Sequence, residues 1–243
     1  MTPRGHPDYV TPVTNVTVEG LAGLEELAAR LGSIVPWNLE GNIVLMEDFE
    51  SELTDWIDDS VGGTSTATRS SRHKFSGDWS AKLDVAGAAF TNSQLTRYLH
   101  YPGLLKYALF GRFCFDEDAE WIELGIDIST GTEAFEVYAR YDRANETLMV
   151  MSTGAVYVSA GTPPALSQVT PVFYPFLLTF DLSTGYYDKL YLADTEYDIS
   201  NIPFYHIADN DPPIGAVFVK AETIAAATFS AYVDGIILAK NVP

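Results

Sequence analysis

The sequence predicts an all-β protein in which a two-sheet antiparallel sandwich follows an extended arm and one short helix. From Asn42 onward, apolar residues alternate with polar ones at a period of two, and β-branched and aromatic residues are frequent. Gly, Ser, Asn and Asp cluster between these runs, as is typical of turns. Helical spacing occurs only before residue 40. We therefore expect residues 1–40 to form the arm and helix and residues 41–243 to form the sandwich.

Composition excludes several classes of partner. The chain has 243 residues, of which 47% are apolar and 19% charged, so it can bury a large core. A formal net charge of -19 opposes binding to nucleic acid or to an anionic membrane. No apolar run approaches the roughly 18 residues that span a bilayer. Cys114, the only cysteine, lies between two phenylalanines, which predicts a buried thiol and excludes an internal disulfide.

The first 40 residues divide into two segments. Residues 1–16 contain three prolines and show no periodicity, which predicts an extended arm. Leu21, Leu24 and Leu27 then recur on one helical face, which predicts an amphipathic helix of about three turns that ends near Gly32. This helix either covers an open end of the sandwich or docks on a partner.

The alternation after residue 41 predicts twelve strands, and one of them illustrates the argument. In residues 121–128, Ile122, Leu124 and Ile126 should face the core, whereas Glu123 and Asp127 should face outward. The predicted strands are 42–49, 64–70, 79–86, 90–99, 106–115, 120–128, 134–142, 147–152, 172–182, 189–193, 214–220 and 228–239.

Three segments resemble the concanavalin A-like jelly rolls, a group that includes many carbohydrate-binding modules. They are Asp-Phe-Glu at residues 48–50 with Asp-Trp at 55–56, Ser-Gly-Asp-Trp-Ser-Ala-Lys-Leu at 76–83, and Tyr-Val-Asp-Gly-Ile-Ile-Leu at 232–238. The resemblance covers about residues 42–240. It implies a jelly roll whose first and last strands are neighbours.

The same resemblance implies a structural calcium site between those two strands. Carried over by position, Glu50 and Asp234 would be ligands, with Asp48 as a third. Calcium takes six to eight oxygen ligands, so main-chain carbonyl groups and waters would complete the site. Gly235 stands where the family usually has a second aspartate, and the alternative is that these carboxylates are simply exposed at strand ends.

The arm and helix resemble a different group of proteins. The sequences Arg-Gly-His-Pro-Asp-Tyr at residues 4–9, Ala-Arg-Leu-Gly-Ser-Ile at 29–34 and the segment 41–50 are similar to the N-terminal layout of uncharacterised proteins associated with bacteriophage genomes. This resemblance implies a virion structural protein in which the arm laces neighbouring subunits together. The implied interface residues are Tyr9, Leu21, Leu24 and Leu27.

A search for catalytic residues finds no constellation. Glu123 and Asp127 share a strand face but stand four residues apart, which separates them by about 13 Å. Glycosidases need their carboxyl groups within roughly 5–9.5 Å, so this pair fits neither mechanism, although carboxylates on different strands could still meet. The compact Glu-x-Asp-x-Glu motif of related hydrolases is absent, and the four histidines are scattered. The sequence therefore predicts that the chain is not an enzyme.

Aromatic residues supply the candidates for ligand contact. Tyr186, Tyr187 and Tyr191 lie close together late in the chain, and exposed rings there would stack on sugars or form a subunit interface. Because neighbouring residues of a strand point to opposite faces, we expect one of Tyr186 and Tyr187 to be outside.

The sequence supports two hypotheses of function. The first is a non-enzymatic phage virion protein, such as a capsid decoration protein on the virion surface, which forms a homo-oligomer through its arm and contacts a major capsid protein. The alternative is an extracellular carbohydrate-binding module that recognises polysaccharide through its surface aromatic residues, with calcium as a structural ion in either case.

Overall fold

The computed structural model describes residues 41–100, 103–115, 120–167 and 172–242, and it shows the predicted all-β sandwich. Within these residues, sixteen strands form two antiparallel sheets, and the helical element is a 3-10 turn at Leu53–Asp55. The strands are β1 Asn42–Glu47, β2 Ile57–Asp58, β3 Thr66–Ser70, β4 Ser80–Val85, β5 Thr91–His100, β6 Lys106–Phe115, β7 Trp121–Ser129, β8 Glu133–Asp142, β9 Thr147–Ser152, β10 Val156–Gly161, β11 Tyr174–Asp181, β12 Tyr186–Leu192, β13 Thr195–Asp198, β14 Tyr205–Ala208, β15 Ile214–Thr223 and β16 Phe229–Lys240.

Sheet A is built around the last strand, β16. Its order is β13-β12-β11-β6-β16-β4-β3. On one side, β6 pairs with β16 from Ala231 to Lys240. On the other side, β4 pairs with residues 229–233, and β1 pairs with residues 236–240. The first and last strands of the sandwich are therefore neighbours, as the resemblance implied.

Sheet B aligns long strands whose outer side chains come together. Its order is β10-β9-β8-β7-β15-β5-β2. Strand β14 pairs with residues 133–136 of β8, whereas β9 pairs with residues 139–142 of the same strand. In the register of the sheet, Glu123 of β7 lies directly between Arg140 of β8 and Lys220 of β15. Side chains that are far apart in sequence thus share one row on the outer face.

The core lies between the sheets and follows the predicted alternation. Ile122, Leu124, Ile126 and Ile128 all face it with 2% or less of their surface exposed. Inner positions of both sheets form one continuous hydrophobic cluster, which is the burial that stabilises a sandwich of this size. Cys114 is buried, as its phenylalanine neighbours predict.

A buried glutamate joins β1 to sheet B. The Glu47 carboxylate accepts hydrogen bonds from the Trp56 indole at 3.0 Å, from Arg97 of β5 at 2.8 Å and from the Phe49 main chain at 2.9 Å. Phe49, which has a φ of 59°, is fully buried. The segment after β1 therefore crosses from one sheet to the other around a single carboxylate.

Strand β16 changes neighbours at Asp234 and Gly235. The pairing with β6 is irregular between Asp234 and Ile237, which marks a β-bulge. Gly235 has a φ of 69°, and a Cβ atom there would lie 3.2 Å from the Arg112 guanidinium. Arg112 is buried, with its guanidinium 4.2 Å from the Phe75 ring centre and 4.8 Å from that of Phe110. A glycine therefore suits this position for two reasons: the φ angle is positive, and a Cβ atom would come close to the Arg112 guanidinium.

All twelve predicted strands are present with boundaries within a few residues of those predicted. The four additional strands, β2, β10, β13 and β14, contain two to six residues each. They pair on one side or lie at the ends of the sheets, where burial imposes little alternation on the sequence.

Several predictions fall outside the described residues. They are the extended arm, the amphipathic helix and the interface residues Tyr9, Leu21, Leu24 and Leu27, all within residues 1–40. In the part of the chain that the structure does describe, no helix is long and apolar enough to cross a membrane.

Replacement of Gly235 by alanine should destabilise the protein. A left-handed conformation costs an L-residue roughly 1–2 kcal/mol, and the new methyl group must also displace the buried Arg112 guanidinium. For a domain of this size we expect the Tm to fall by roughly 2–8 °C, measured by differential scanning calorimetry.

Gly87→Ala is the matched control, because Gly87 has a φ of 70° but no atom within 4 Å of its Cβ position. The Gly235→Ala variant should lose more stability than this control. Equal losses would show that the contact with Arg112 contributes nothing.

Candidate functional site

The outer face of sheet B carries a cluster of charged and aromatic side chains on strands β7, β8, β10 and β15. We call it the charged face. Its residues are Trp121, Glu123 and Asp127 of β7, Glu136, Tyr138 and Arg140 of β8, Tyr157 of β10 and Lys220 of β15.

Glu123 is the centre of the charged face and is only 1% exposed. Its carboxylate accepts hydrogen bonds from Arg140 at 2.9 and 3.0 Å, lies 2.7 Å from the Lys220 ammonium and accepts a hydrogen bond from the Tyr157 hydroxyl. Burial by itself would raise the pKa of Glu123, but the positive charges of Lys220 and Arg140 outweigh it and hold that pKa below its ordinary value. Glu123 is therefore ionised at neutral pH.

Arg140 connects this ion cluster to two aromatic rings. Its guanidinium carbon lies 4.2 Å from the Trp121 ring centre and 3.6 Å from that of Tyr157, so both rings make cation–π contacts. Arg140 itself is buried, whereas Trp121 and Tyr157 remain partly exposed. Burial of ions costs several kcal/mol per ion, which is high for a position on the outside of a sheet. The cation–π contacts of the buried Arg140 hold the two rings on either side of its guanidinium.

A second group, four residues further along the same two strands, holds a pair of carboxyl groups. Asp127 of β7 and Glu136 of β8 are direct partners in the sheet, so their side chains are neighbours. The Tyr138 hydroxyl donates a hydrogen bond to Asp127. Burial raises the pKa of Asp127 to about 7, with the charges of Glu136 and Glu123 adding to the effect and the Tyr138 hydrogen bond opposing it.

The pKa values of Glu136 and Tyr138, which lie beside Asp127, are also raised. Burial also raises the pKa of Glu136, and burial together with the adjacent carboxylates raises the pKa of Tyr138, which keeps the Tyr138 hydroxyl protonated. A carboxyl group that titrates near pH 7 beside a hydrogen-bonding tyrosine is able to give or take a proton at neutral pH.

Gly125 provides the space that this arrangement needs. A Cβ atom at Gly125 would lie 2.5 Å from the Phe218 ring and 2.8 Å from the Tyr138 ring. Those two rings meet edge to face with centres 4.9 Å apart, directly over the glycine. The glycine therefore allows Tyr138 to lie down over β7, with its hydroxyl toward Asp127.

The charged face was not identified from the sequence. The spacing along β7 correctly predicts that Glu123 and Asp127 are too far apart to act as a pair. The partners of each residue lie on the neighbouring strands β8 and β15. The available signal was the repeated polar residue at outward positions of long strands, in Trp-x-Glu-x-Gly-x-Asp at 121–127 and Glu-x-Tyr-x-Arg at 136–140.

The predicted ligand-binding tyrosines lie on sheet A, away from the charged face. Tyr186 is 44% exposed and Tyr187 is 2% exposed, so the expected alternation holds. Because Tyr187 is buried, its ring offers little surface to a sugar, and the ligand contact predicted for it stays a prediction. Its hydroxyl instead donates to the Met151 carbonyl at 2.8 Å and accepts from the Tyr138 N–H at 3.3 Å. Tyr191 is partly exposed.

Two of the predicted calcium ligands, Glu50 and Asp234, accept hydrogen bonds from main-chain N–H groups. Glu50 accepts hydrogen bonds from the N–H groups of Asp78 and Trp79 at 2.8 and 3.0 Å. Asp234 accepts from Phe75 and Ser76 at 2.7 and 3.0 Å. The two carboxylates thus clamp the loop at residues 75–79, which enters β4.

The third predicted ligand does not join this clamp, since Asp48 is exposed and accepts a hydrogen bond from the Glu50 N–H at 3.1 Å. One oxygen of Asp234, Oδ1, is buried and has no hydrogen-bond partner, and the described residues contain no group of three or more His, Cys, Asp or Glu that could hold a metal ion. A calcium ion at Asp234 would take most of its six to eight ligands from main-chain carbonyl groups and water. Calcium binding stays a prediction.

Comparisons with known proteins show the fold. No protein-family model and no curated protein matches the chain. An endo-β-1,4-glucuronan lyase from the fungus Trichoderma reesei aligns with a TM-score of 0.56 at 13% identity over 82% of this chain and 96% of that chain. Lectin I-B4 from Griffonia simplicifolia aligns with a TM-score of 0.51 at 10% identity over 82% of this chain and 100% of the lectin. A sialidase aligns with a TM-score of 0.52 at 12% identity, over 82% of this chain but 19% of the sialidase.

These likenesses confirm the jelly-roll sandwich fold and correct one prediction. The prediction that the chain is not an enzyme is wrong as drawn, because the same jelly roll serves a lyase over almost its whole length. The likenesses lend no support to a virion role, a homo-oligomer or a capsid partner.

Replacement of Asp234 by alanine should destabilise the loop at residues 75–79. Two N–H groups lose their acceptor, and each unsatisfied, partly buried donor costs roughly 1–3 kcal/mol. We expect a Tm lower by several degrees, measured by scanning calorimetry. Glu50→Ala is the matched variant, because Glu50 holds the other end of the same loop.

The same measurement tests the calcium prediction. If calcium binds at Asp234, EDTA lowers the Tm of the parent protein and has no effect on the Asp234→Ala variant. An unchanged parent Tm in EDTA would contradict calcium binding and leave the clamp intact.

Asp127 should make stability fall as the pH rises from about 4 to 7. In this range the folded protein retains the Asp127 proton, because burial raises its pKa to about 7, whereas the unfolded chain with its ordinary pKa near 4 releases it. Asp127→Asn removes this proton linkage, so the stability of the variant relative to the parent should increase between pH 5 and pH 8, as measured by thermal unfolding.

Tyr138→Phe provides the matched comparison. The Tyr138 hydrogen bond lowers the pKa of Asp127, so its removal should move the midpoint of the pH dependence upward. A difference between Asp127→Asn and parent that does not vary with pH would refute the assignment.

Proposed function

We propose that the protein binds polysaccharide on the charged face of sheet B. The observation that carries this proposal is the pair of partly exposed rings, Trp121 and Tyr157, held by the buried Arg140 guanidinium between them. Rings fixed in advance lose little conformational freedom when a ligand binds, so their contact area contributes more to affinity.

The polar groups beside the rings suit a hydroxyl-rich ligand. Asp127, Glu136 and Tyr138 are partly exposed and offer both donors and acceptors next to the aromatic rings. Glycan sites combine such orienting polar groups with aromatic surface. Because they stand on paired strands, their positions are held by the sheet. The net charge of -19 favours neutral chains over anionic ones.

The comparison structures support this proposal at the level of fold alone, since a lectin and a glucuronan lyase use the same jelly roll. Polysaccharide binding accords with the extracellular alternative for the protein's location. The virion hypothesis rested on residues 4–9, 29–34 and 41–50, of which only the last segment lies within the described residues, and the charged face gives it no support.

A second candidate function at the same face is polysaccharide cleavage, which the Asp127–Glu136 pair favours. The two carboxyl groups are direct cross-strand neighbours, and one of them holds a proton near pH 7. Paired carboxyl groups with unequal proton affinity are what glycosidic bond cleavage requires. This pair lies across two strands, where a search along one strand cannot find it.

Binding is tested by affinity electrophoresis in gels that contain soluble β-glucan, xylan, galactan or a polyuronate. Trp121→Ala should weaken binding at least about tenfold, equivalent to ~1.4 kcal/mol, because one of the two fixed rings is lost. Phe90→Ala is the matched control, since Phe90 is a 74% exposed aromatic residue in the turn before β5, and its loss should leave the affinity unchanged.

Retardation by none of the four polysaccharides, or equal retardation of the parent and Trp121→Ala, would overturn the binding proposal. The same mixtures, assayed for released oligosaccharides, separate the two functions. Release that is lost in Asp127→Asn and Glu136→Gln while binding persists identifies a cleaving enzyme, whereas binding without release identifies a binding module.

A further inference from the structure

A cavity on the opposite side of the sandwich is unused by the function proposed above. It lies on sheet A, at the end of the β11–β12 hairpin, and has a volume of about 330 Å³. Ligand sites generally measure about 300–1,000 Å³, so this cavity has room for one or two sugar rings. The lining residues are Lys106, Asp181, Thr184, Tyr186, Tyr187, Asp188 and Ser200.

The main chain that carries the exposed Tyr186 ring is held in place at this cavity. Tyr186 pairs with Asp181 of β11 on one side and forms a bridge with Pro203 on the other. The adjacent Gly185 carbonyl accepts a hydrogen bond from the Phe204 N–H at 3.1 Å. The Tyr186 side chain is 44% exposed, so it presents apolar surface to solvent at this cavity.

The polar groups of the cavity are held by the same strands. Lys106 of β6 pairs in register with Asp181, which pairs with Tyr186, so these three residues form one row across three strands. The Lys106 ammonium lies 3.1 Å from the Asp188 carboxylate, which also accepts a hydrogen bond from Thr179 at 3.3 Å. The row and Asp188 together provide an ammonium donor, two carboxylate groups and an aromatic ring within one cavity.

The chemistry of this group selects the class of ligand. Two carboxylates and one ammonium give the lining a net negative charge, which disfavours phosphates, sulfates and uronic acids. The density of charged and hydroxyl groups disfavours a wholly apolar ligand. A neutral sugar suits both the polar and the aromatic residues of the lining. Its hydroxyl groups donate to carboxylates and accept from an ammonium, and the apolar face of its ring can stack on a tyrosine.

We propose that this cavity is a second saccharide site, which stacks a neutral hexose unit on Tyr186 and binds its hydroxyl groups with Asp181, Asp188 and Lys106. Its location is distinct from the charged face, since its lining residues belong to sheet A and the turns beside it, whereas the charged face belongs to sheet B. A single extended glycan cannot occupy both, so a protein with both sites bridges two chains. Only this bridging step rests on the proposed function of the charged face.

The test is a titration of the isotope-labelled full-length protein with glucose, galactose, mannose, xylose and their neutral disaccharides, followed by NMR. At least one sugar should shift the signals of residues 106, 181, 186 and 188. Tyr186→Ala should weaken that binding at least about tenfold. Tyr186→Phe, which keeps the ring, should stay within about threefold of the parent.

Trp121→Ala serves as the reciprocal control and should leave binding at Tyr186 unchanged. Unaltered spectra with all the sugars up to 50 mM, on the order of the weakest specific sugar binding, would overturn the proposal. Equal affinity of the parent and Tyr186→Ala would do the same, provided that thermal unfolding shows the variant to be folded. If retardation in the gels depends on Trp121 but no sugar shifts the NMR signals at Tyr186, the cavity proposal is refuted and the proposal for the charged face stands.

Bridging is measured by light scattering from mixtures with the polysaccharide that the gels identify. The parent protein should increase the scattering through cross-linked chains, and either Trp121→Ala or Tyr186→Ala should abolish the increase. A parent mixture with no increase would contradict simultaneous use of the two faces.

Discussion

The whole of sheet A depends on the junction at Asp234 and Gly235, where β16 exchanges β4 for β1 as its neighbour. Gly235 takes a conformation that other residues adopt only under strain, and it leaves room for the buried Arg112. Asp234, 1% exposed, holds the main chain of the loop that enters β4. Burial raises the pKa of Asp234, while the loop N–H groups and Arg112 oppose that rise. The carboxylate thus connects three strands, and the junction closes the sandwich.

The sequence predicts most of this fold because burial on one face imposes a period of two on a strand. Strand β7 follows the rule, with its isoleucines inside and its polar residues outside. Strands β13 and β14 do not, since each has only four residues at the side of a sheet and no fully buried stretch. A segment that pairs on one side needs little apolar surface, so its composition carries little information about its conformation.

The candidate site was harder to predict because it depends on register, which no single strand encodes. Glu123 was correctly placed on an outer face, but an outer position suggests solvent, and Glu123 is 1% exposed. Its burial arises from Arg140 and Lys220 on the flanking strands and from the rings above them. Likewise, the alternation separates Tyr186 from Tyr187 correctly, yet the functional meaning of each depends on what the other sheet places beside it.

Tyr187 shows how the two faces of the sandwich are physically linked. It lines the cavity on sheet A, and its hydroxyl reaches the main chain of sheet B at Met151 and Tyr138. A buried hydroxyl that lost these partners would be left unsatisfied at a cost of roughly 1–3 kcal/mol, so the spacing between the sheets is fixed at this point. Tyr138 is the residue that orients Asp127 on the charged face. The same side chain therefore supports the frame of the Tyr186 cavity and the geometry of the carboxyl pair, which makes both sites properties of one rigid core and not of mobile loops.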